Sequence, residues 1–208
     1  MRGAEPGAAD IDAGSGVGRQ GTPAESRLDP LILVIMGVSG VGKSTIAAAL
    51  ASRLGWPFEE GDRLHPKANI AKMHAGIPLT DEDRLPWLQR IAAWIDARRA
   101  QKEPGIITCS ALKRAYREIV VGRRREVRLI YLRGTAKQIA AHLAGRKGHF
   151  MPASLLQSQI DALEEPGSDE NALTIDVGPP ADQVVEDVVD RLLHESAGEA
   201  RRAGKARI

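Results

Sequence analysis

Gly37-Val38-Ser39-Gly40-Val41-Gly42-Lys43-Ser44 is the stretch whose reading decides the fold. It matches G-x-x-x-x-G-K-[ST], the phosphate-binding loop. An apolar run, Leu31 to Met36, precedes it and reads as a buried strand. An Ala- and Leu-rich segment, Thr45 to Leu54, comes after it and reads as a helix. That strand–loop–helix context is what supports the motif. The glycines let the backbone curl so that several N–H groups face one anion, and the helix N-terminus adds the positive end of its dipole. The expected nucleotide-binding set is therefore the eight loop residues and Thr45, with Lys43 reaching the β- and γ-phosphates and the Ser44 hydroxyl on Mg²⁺.

Composition narrows what surrounds the loop. The chain has 208 residues, enough for one domain with tails. Aromatic residues make up only 3%, which argues against a stacking platform for single-stranded nucleic acid. A net charge of +2 gives no strong field toward DNA or an anionic membrane. The single cysteine, Cys109, has no internal partner and fits a reducing compartment. No apolar run approaches a membrane span, and the N-terminus lacks the apolar core of a secretory signal. The expectation is a cytoplasmic protein with neither nucleic acid nor membrane as partner.

Residues 1–29 are rich in Gly, Ala, Ser, Pro and Asp and are expected to be a disordered tail. The domain is expected to span 30–195, with a basic tail over 196–208. Trp56 to Glu60 reads as a short strand, Lys67 to His74 as a helix. Thr80 to Asp83 opens a further helix, with Thr80 as N-cap and Pro86 in the first turn. Leu85, Leu88, Ile91, Ala92 and Ile95 keep helical spacing on its buried stripe, with Trp87 and Trp94 beside them. Ile106 to Cys109 reads as a strand, Ala111 to Val121 as a basic helix, and Val127 to Leu132 as a strand. Ala136 to Ala144 and Ala153 to Leu163 read as helices flanking a polar loop. Leu173 to Val177 is a last strand, and Ala181 to Leu193 a last helix. Strands and helices alternate five times. That predicts an α/β fold, a five-stranded parallel sheet between two helical layers, with ligands at the carboxyl ends of the strands.

The chemistry-bearing residues fall just after strands. Asp62 comes after the second strand, where a carboxylate takes the proton of an attacking hydroxyl or holds Mg²⁺ through water; Glu60 is a second metal candidate. Lys113 and Arg117, four apart, share a helix face and suit an anionic substrate. Arg146 and His149 lie in the polar loop 145–153, where small P-loop kinases carry arginines on a lid that excludes water. His65 reads as an acceptor-pocket residue rather than a metal ligand, because its spacing to His74 and the lack of Cys or clustered carboxylate partners do not suit a metal. No N-K-x-D guanine signature appears after the fourth strand.

These blocks resemble the gluconokinase family: Met36 to Gly40, Gly61-Asp62-Arg63-Leu64-His65-Pro66, Asn69 to Met73, Gly76 to Leu79, Asp83 to Leu88, Cys109-Ser110-Ala111-Leu112-Lys113, Tyr116-Arg117, Arg146-Lys147-Gly148-His149-Phe150 and Leu163 to Pro166. The likeness runs from about Leu31 to Leu193. It implies ATP- and Mg²⁺-dependent phosphorylation of D-gluconate at its 6-hydroxyl, giving 6-phosphogluconate and ADP, by a homodimer of adenylate- and shikimate-kinase-like fold. It implies Lys43, Asp62 and Arg146 as catalytic residues; Asp62, His65, Lys113, Arg117 and His149 toward the substrate; and Ser44 and Glu60 toward the metal. Two positions depart from the family: Glu60 stands where Asp is usual, and Val41 where Ser is frequent, at a site expected to act through its backbone N–H. A shikimate kinase would show Gly-Gly-Gly after the third strand, where this chain has Cys109-Ser110-Ala111, and a nucleoside monophosphate kinase more arginines around the acceptor. A nucleotide switch would need no acceptor residues.

Overall fold

Five short apolar segments pair into one parallel sheet. They are β1 (Ile32–Met36), β2 (Phe58–Glu59), β3 (Gly105–Thr108), β4 (Val127–Arg133) and β5 (Leu173–Asp176), in the order β2-β3-β1-β4-β5. The architecture was obtained as a computed structural model that describes Leu28, residues 31–144 and residues 153–205. β1 is central and apolar throughout because both its faces are covered. Leu33 and Ile35 point into one core cluster, while Ile32, Val34 and Met36 point into the other.

The first face carries α1 (Lys43–Leu54) and α7 (Ala181–Lys205), with Leu156 and Ile160 of α6 (Ala153–Asp161) packed at its margin. Ile139 of α5 (Ala136–Ala144) joins the same cluster. The second face carries α3 (Asp81–Gln101) and α4 (Arg114–Val120), and α2 (Lys67–His74) precedes α3. The predicted three-layer α/β/α fold is therefore the observed one. The chain leaves β1 at the sheet centre, and β3 and β4 lie on its two sides. That is the switch point at which such sheets bind ligands.

Several local expectations need correction. The helix expected from Ala111 starts only at Arg114. Ala111 is buried with a left-handed φ of 43°, which a helix cannot continue through, so Ser110 to Lys113 is an irregular strap. β2 has two residues, since beyond Glu59 the Gly61 amide turns to a side chain instead of the ladder. Pro86 lies in the second turn of α3, where the Glu82 carbonyl loses its i+4 donor. Leu85 is 44% exposed, off the stripe that Leu88, Ile91, Ala92 and Ile95 bury. α7 continues to Lys205 through good helix formers such as Glu195, Ala197 and Arg201, so the expected C-terminal tail is helical over most of its length. Leu28, expected in the N-terminal tail, is buried in the first core. The rest of the tail expected over 1–29, the loop over 145–152 and residues 206–208 lie outside the described residues.

The 3₁₀ turn Gly61–Leu64, which holds Asp62, is pinned by both β3 and α3. The Gly61 N–H donates to Thr108 Oγ1 at 3.1 Å, and the Thr108 hydroxyl donates to Glu60. Trp87 Nε1 of α3 donates to the Gly61 carbonyl at 2.8 Å. A Cβ on Gly61 would lie 1.9 Å from the Thr108 carbonyl oxygen, so only glycine fits. Gly61→Ala is expected to cost about 1–3 kcal/mol, the range of core overpacking, and to displace Asp62. Urea unfolding of the variant without loss of stability would contradict this packing.

Candidate active site

The loop between β1 and α1 holds the expected geometry for an anion. Gly42 caps α1 with a left-handed φ of 106°, and α1 has neither a side-chain cap nor an acidic residue in its first turn. A helix N-terminus without such a cap or acid favours an external anion. By contrast α3 begins with Thr80 and Asp83 in a reciprocal capping box and has three acids in its first turn. Lys43 Nζ donates to the carbonyls of Gly37 and Val38, both at 3.0 Å. Val41 is more than a backbone donor: its side chain is buried in the first core, which anchors the loop. The Gly37 N–H reaches the Ser110 carbonyl at 3.4 Å, joining the loop to the strap after β3.

A cavity of about 470 Å³ opens on the β5 side of the loop. Gly40, Gly42, Thr45, His142, Val177 and Pro179 contribute to its wall, and most of the lining is apolar or backbone. Such a space suits a planar base next to the phosphate cradle. Sequence reasoning assigns no base-contacting residues, because loops of this kind have no motif.

On the β2 side stands the Asp62 turn. Asp62 is exposed, whereas Glu60 is partly buried and held by Thr108. His65 is buried and stacks on Trp87, with ring centroids 4.2 Å apart and planes 13° from parallel. Asn69 Nδ2 donates to the Asp83 carbonyl at 2.7 Å and faces His65 Nδ1 at 3.3 Å. A carbonyl can only accept, so that nitrogen is the amide NH₂, His65 Nδ1 is the acceptor, and Nε2 keeps the proton. Burial holds the His65 imidazole below its ordinary range; nearby Asp62 opposes that shift and Arg84 adds to it. Thr108, Trp87 and Asn69 support this side of the site, and sequence reasoning missed all three as functional. Thr108 left one trace, a hydroxyl closing an apolar strand.

Lys113 and Arg117 do not act together. Lys113 is the N-cap residue of α4, and its Nζ meets Asp81 at 2.7 and 2.9 Å. Tyr116 donates to the same carboxylate at 2.5 Å, and the two bonds hold Asp81 below the usual carboxylate range. Arg117 turns inward and is 2% exposed. Its guanidinium pairs with Glu170 at 2.5 and 2.8 Å and donates to the carbonyls of Ala111, Leu112 and Glu164. The expected substrate role of Arg117 is corrected on this ground: its fork is spent on the fold. Arg146 and His149 lie outside the described residues.

Among the described residues no group of three or more His, Cys, Asp or Glu forms a metal cage. The Ser44 hydroxyl and the Glu60 carboxylate are donor types that suit Mg²⁺, which prefers one or two carboxylates with waters and phosphate oxygens.

The fold and the site define a small P-loop phosphotransferase. The family described as AAA domain matches residues 32–166. A gluconokinase of Gluconobacter oxydans is 46% identical over 162 residues, which cover 78% of this chain and 91% of that protein. A solved gluconokinase from Sinorhizobium meliloti is 41% identical with a TM-score of 0.74, covering 83% of this chain and 97% of that one. A solved sugar kinase from Janibacter is 47% identical with a TM-score of 0.72, covering 77% and 92%. The chain belongs to the gluconokinase family and is a kinase.

The packing of the site sets two expected outcomes. Arg117→Ala, which strands Glu170, is expected to cost about 3–5 kcal/mol in urea unfolding while leaving the acceptor KM of the folded enzyme near that of wild type. A raised acceptor KM with unchanged stability would return Arg117 to the substrate. For His65, the unfolded chain takes up the proton first as pH falls. Its contribution to stability is thus complete above about pH 6.5 and is lost through the lower folded-state value. His65→Gln should flatten that limb of the stability–pH curve, and an unchanged limb would contradict the assignment.

Proposed function

We propose that the protein transfers the γ-phosphoryl group of ATP to the 6-hydroxyl of D-gluconate, giving 6-phosphogluconate and ADP. The observation that carries the reading is an arrangement along the sheet. The uncapped N-terminus of α1 stands at its centre, the cavity toward β5 on one side and the Asp62 turn toward β2 on the other. A nucleotide entering from the cavity would lay its phosphates across the loop and point the last one at Asp62.

Lys43 would turn from the Gly37 and Val38 carbonyls to the β- and γ-phosphates. Ser44 would hold Mg²⁺ directly and Glu60 through water; the ion supplies charge neutralisation between the β- and γ-phosphates. Asp62 orients the acceptor hydroxyl and takes its proton as the oxygen bonds to the γ-phosphorus. The bond to the bridging oxygen breaks, and ADP leaves. Lys113 meets the gluconate carboxylate, exchanging part of its pairing with Asp81 for the substrate. His65 Nε2–H serves as a hydroxyl-facing donor. The homodimer implied by the resemblance, and the cytoplasmic setting without nucleic acid or membrane expected from composition, are proposed with this reading. Among the described residues no helix is long and apolar enough to cross a membrane.

ADP release should depend on gluconate, and Asp62→Asn should lower kcat by about 10²–10⁴ while a non-hydrolysable ATP analogue still binds. ADP release that ignores gluconate would replace the kinase reading with an ATPase or a switch.

A further inference from the structure

Besides the Gly37 amide, which meets a backbone carbonyl, a second loop amide is engaged from outside the loop, by a side chain. The Ser39 N–H donates to Gln159 Oε1 of α6 at 2.7 Å, across 120 residues of sequence. Because an N–H can only donate, the atom facing it must be the carboxamide oxygen, and the NH₂ is the other end of the group. Gly40, Gly42 and Thr45 line the nucleoside cavity, but Ser39 does not. A polyphosphate that enters from that cavity therefore meets Ser39 with its terminal group.

The helix that presents Gln159 is itself fixed over the strand ends. Leu156 and Ile160 pack on the first core. Beyond α6, the Glu164 N–H donates to the Leu112 carbonyl at 2.9 Å, and the Arg114 N–H donates to the Glu164 carboxylate at 2.6 Å. Tyr131 of β4 donates to Glu165 at 3.1 Å. Gln159 is thus held by segments anchored after β3 and on β4, on either side of the loop that leaves β1.

We propose that Gln159 reads the transferable phosphate. Its oxygen stays on the Ser39 N–H, and its NH₂ donates to a terminal phosphate oxygen, a bond that ADP cannot make. The proposal rests on the reading of Gly37 to Thr45 as the triphosphate cradle. A residue that merely braced the loop would need only an acceptor; a phosphate reader needs the donor as well.

Gln159→Glu separates the two roles, because it keeps the acceptor and replaces the donor by a negative charge. Titration calorimetry with Mg²⁺–ADP and with a Mg²⁺-bound non-hydrolysable ATP analogue is the measurement, alongside steady-state kinetics. For Gln159→Glu the analogue should weaken about tenfold or more, the size of a hydrogen bond to a charged group, with ADP within about threefold. The kcat should fall by about tenfold or more, and the gluconate KM should stay within about threefold. Gln159→Leu should show the same split between ADP and analogue. A Gln159→Glu enzyme that binds the analogue as wild type does, or loses ADP and analogue equally, overturns the proposal even if Gln159→Leu does not fold. Failure of the wild type to bind ADP overturns the cradle reading, and the proposal with it.

Discussion

The contact of Gly61 with the end of β3 is the constraint on which the site depends. β2 pairs with β3 over only two residues, so the ladder alone does not fix the turn beyond it. The turn is fixed by one residue without a side chain, pressed on the Thr108 backbone, its N–H and carbonyl both taken by other elements. Asp62 inherits its place from that contact. The acceptor side of the site is thereby tied to the strand next to β1, and β1 delivers the phosphate loop. Both halves of the proposed site hang on the same pair of strands, which is what a transfer over a few ångströms requires.

The two long helices at the site treat their N-termini in opposite ways. α1 has no acid and no side-chain cap, so its dipole end faces outward toward an anion. α3 closes its own end with Thr80 and Asp83, and the acids there turn to other work. Asp83 pairs with Lys72, and Asp81 collects Lys113 and Tyr116. α3 also supplies Trp87, which holds the Gly61 carbonyl and the His65 ring together. It braces the turn that holds Asp62, and its self-capped, acidic N-terminus does not invite an anion.

Most of the fold was legible because its signals are local. The apolar runs, the glycine loop and the Thr80 cap each declare themselves within a few residues, and the strand–helix alternation leaves one sensible sheet. The misreadings came where a distant partner decides the outcome. Ala111 looks like a helix residue, but the close fit of the strap against the core puts it in a left-handed conformation. Arg117 sits four residues from Lys113, and helical spacing puts both on one face; Glu170, 53 residues on, draws Arg117 inward. Pro86 is a different case, with no distant partner involved: counted from the Thr80 cap it falls in the second turn, beyond the first-turn position expected for it. Gln159 had no signal at all, since a glutamine on a helix is ordinary until a loop amide is found facing it.

Arg117 and Lys113 divide the labour that helical spacing assigns to them jointly, and side-chain chemistry explains the division. A guanidinium offers five donors in a rigid fork, enough for a carboxylate and three carbonyls at once, so it survives burial. A lysine buried in that place would leave most of those acceptors unmet. Lys113, with one mobile ammonium on a partly exposed stem, suits a ligand that comes and goes. The buried arginine still serves the site at one remove. It gathers the Ala111, Leu112 and Glu164 carbonyls, and so fastens the strap that carries Lys113 to the segment just beyond Gln159. The strap before α4 and the segment beyond α6 are thus tied together by one interior charge, and a change at that charge is felt first as lost stability.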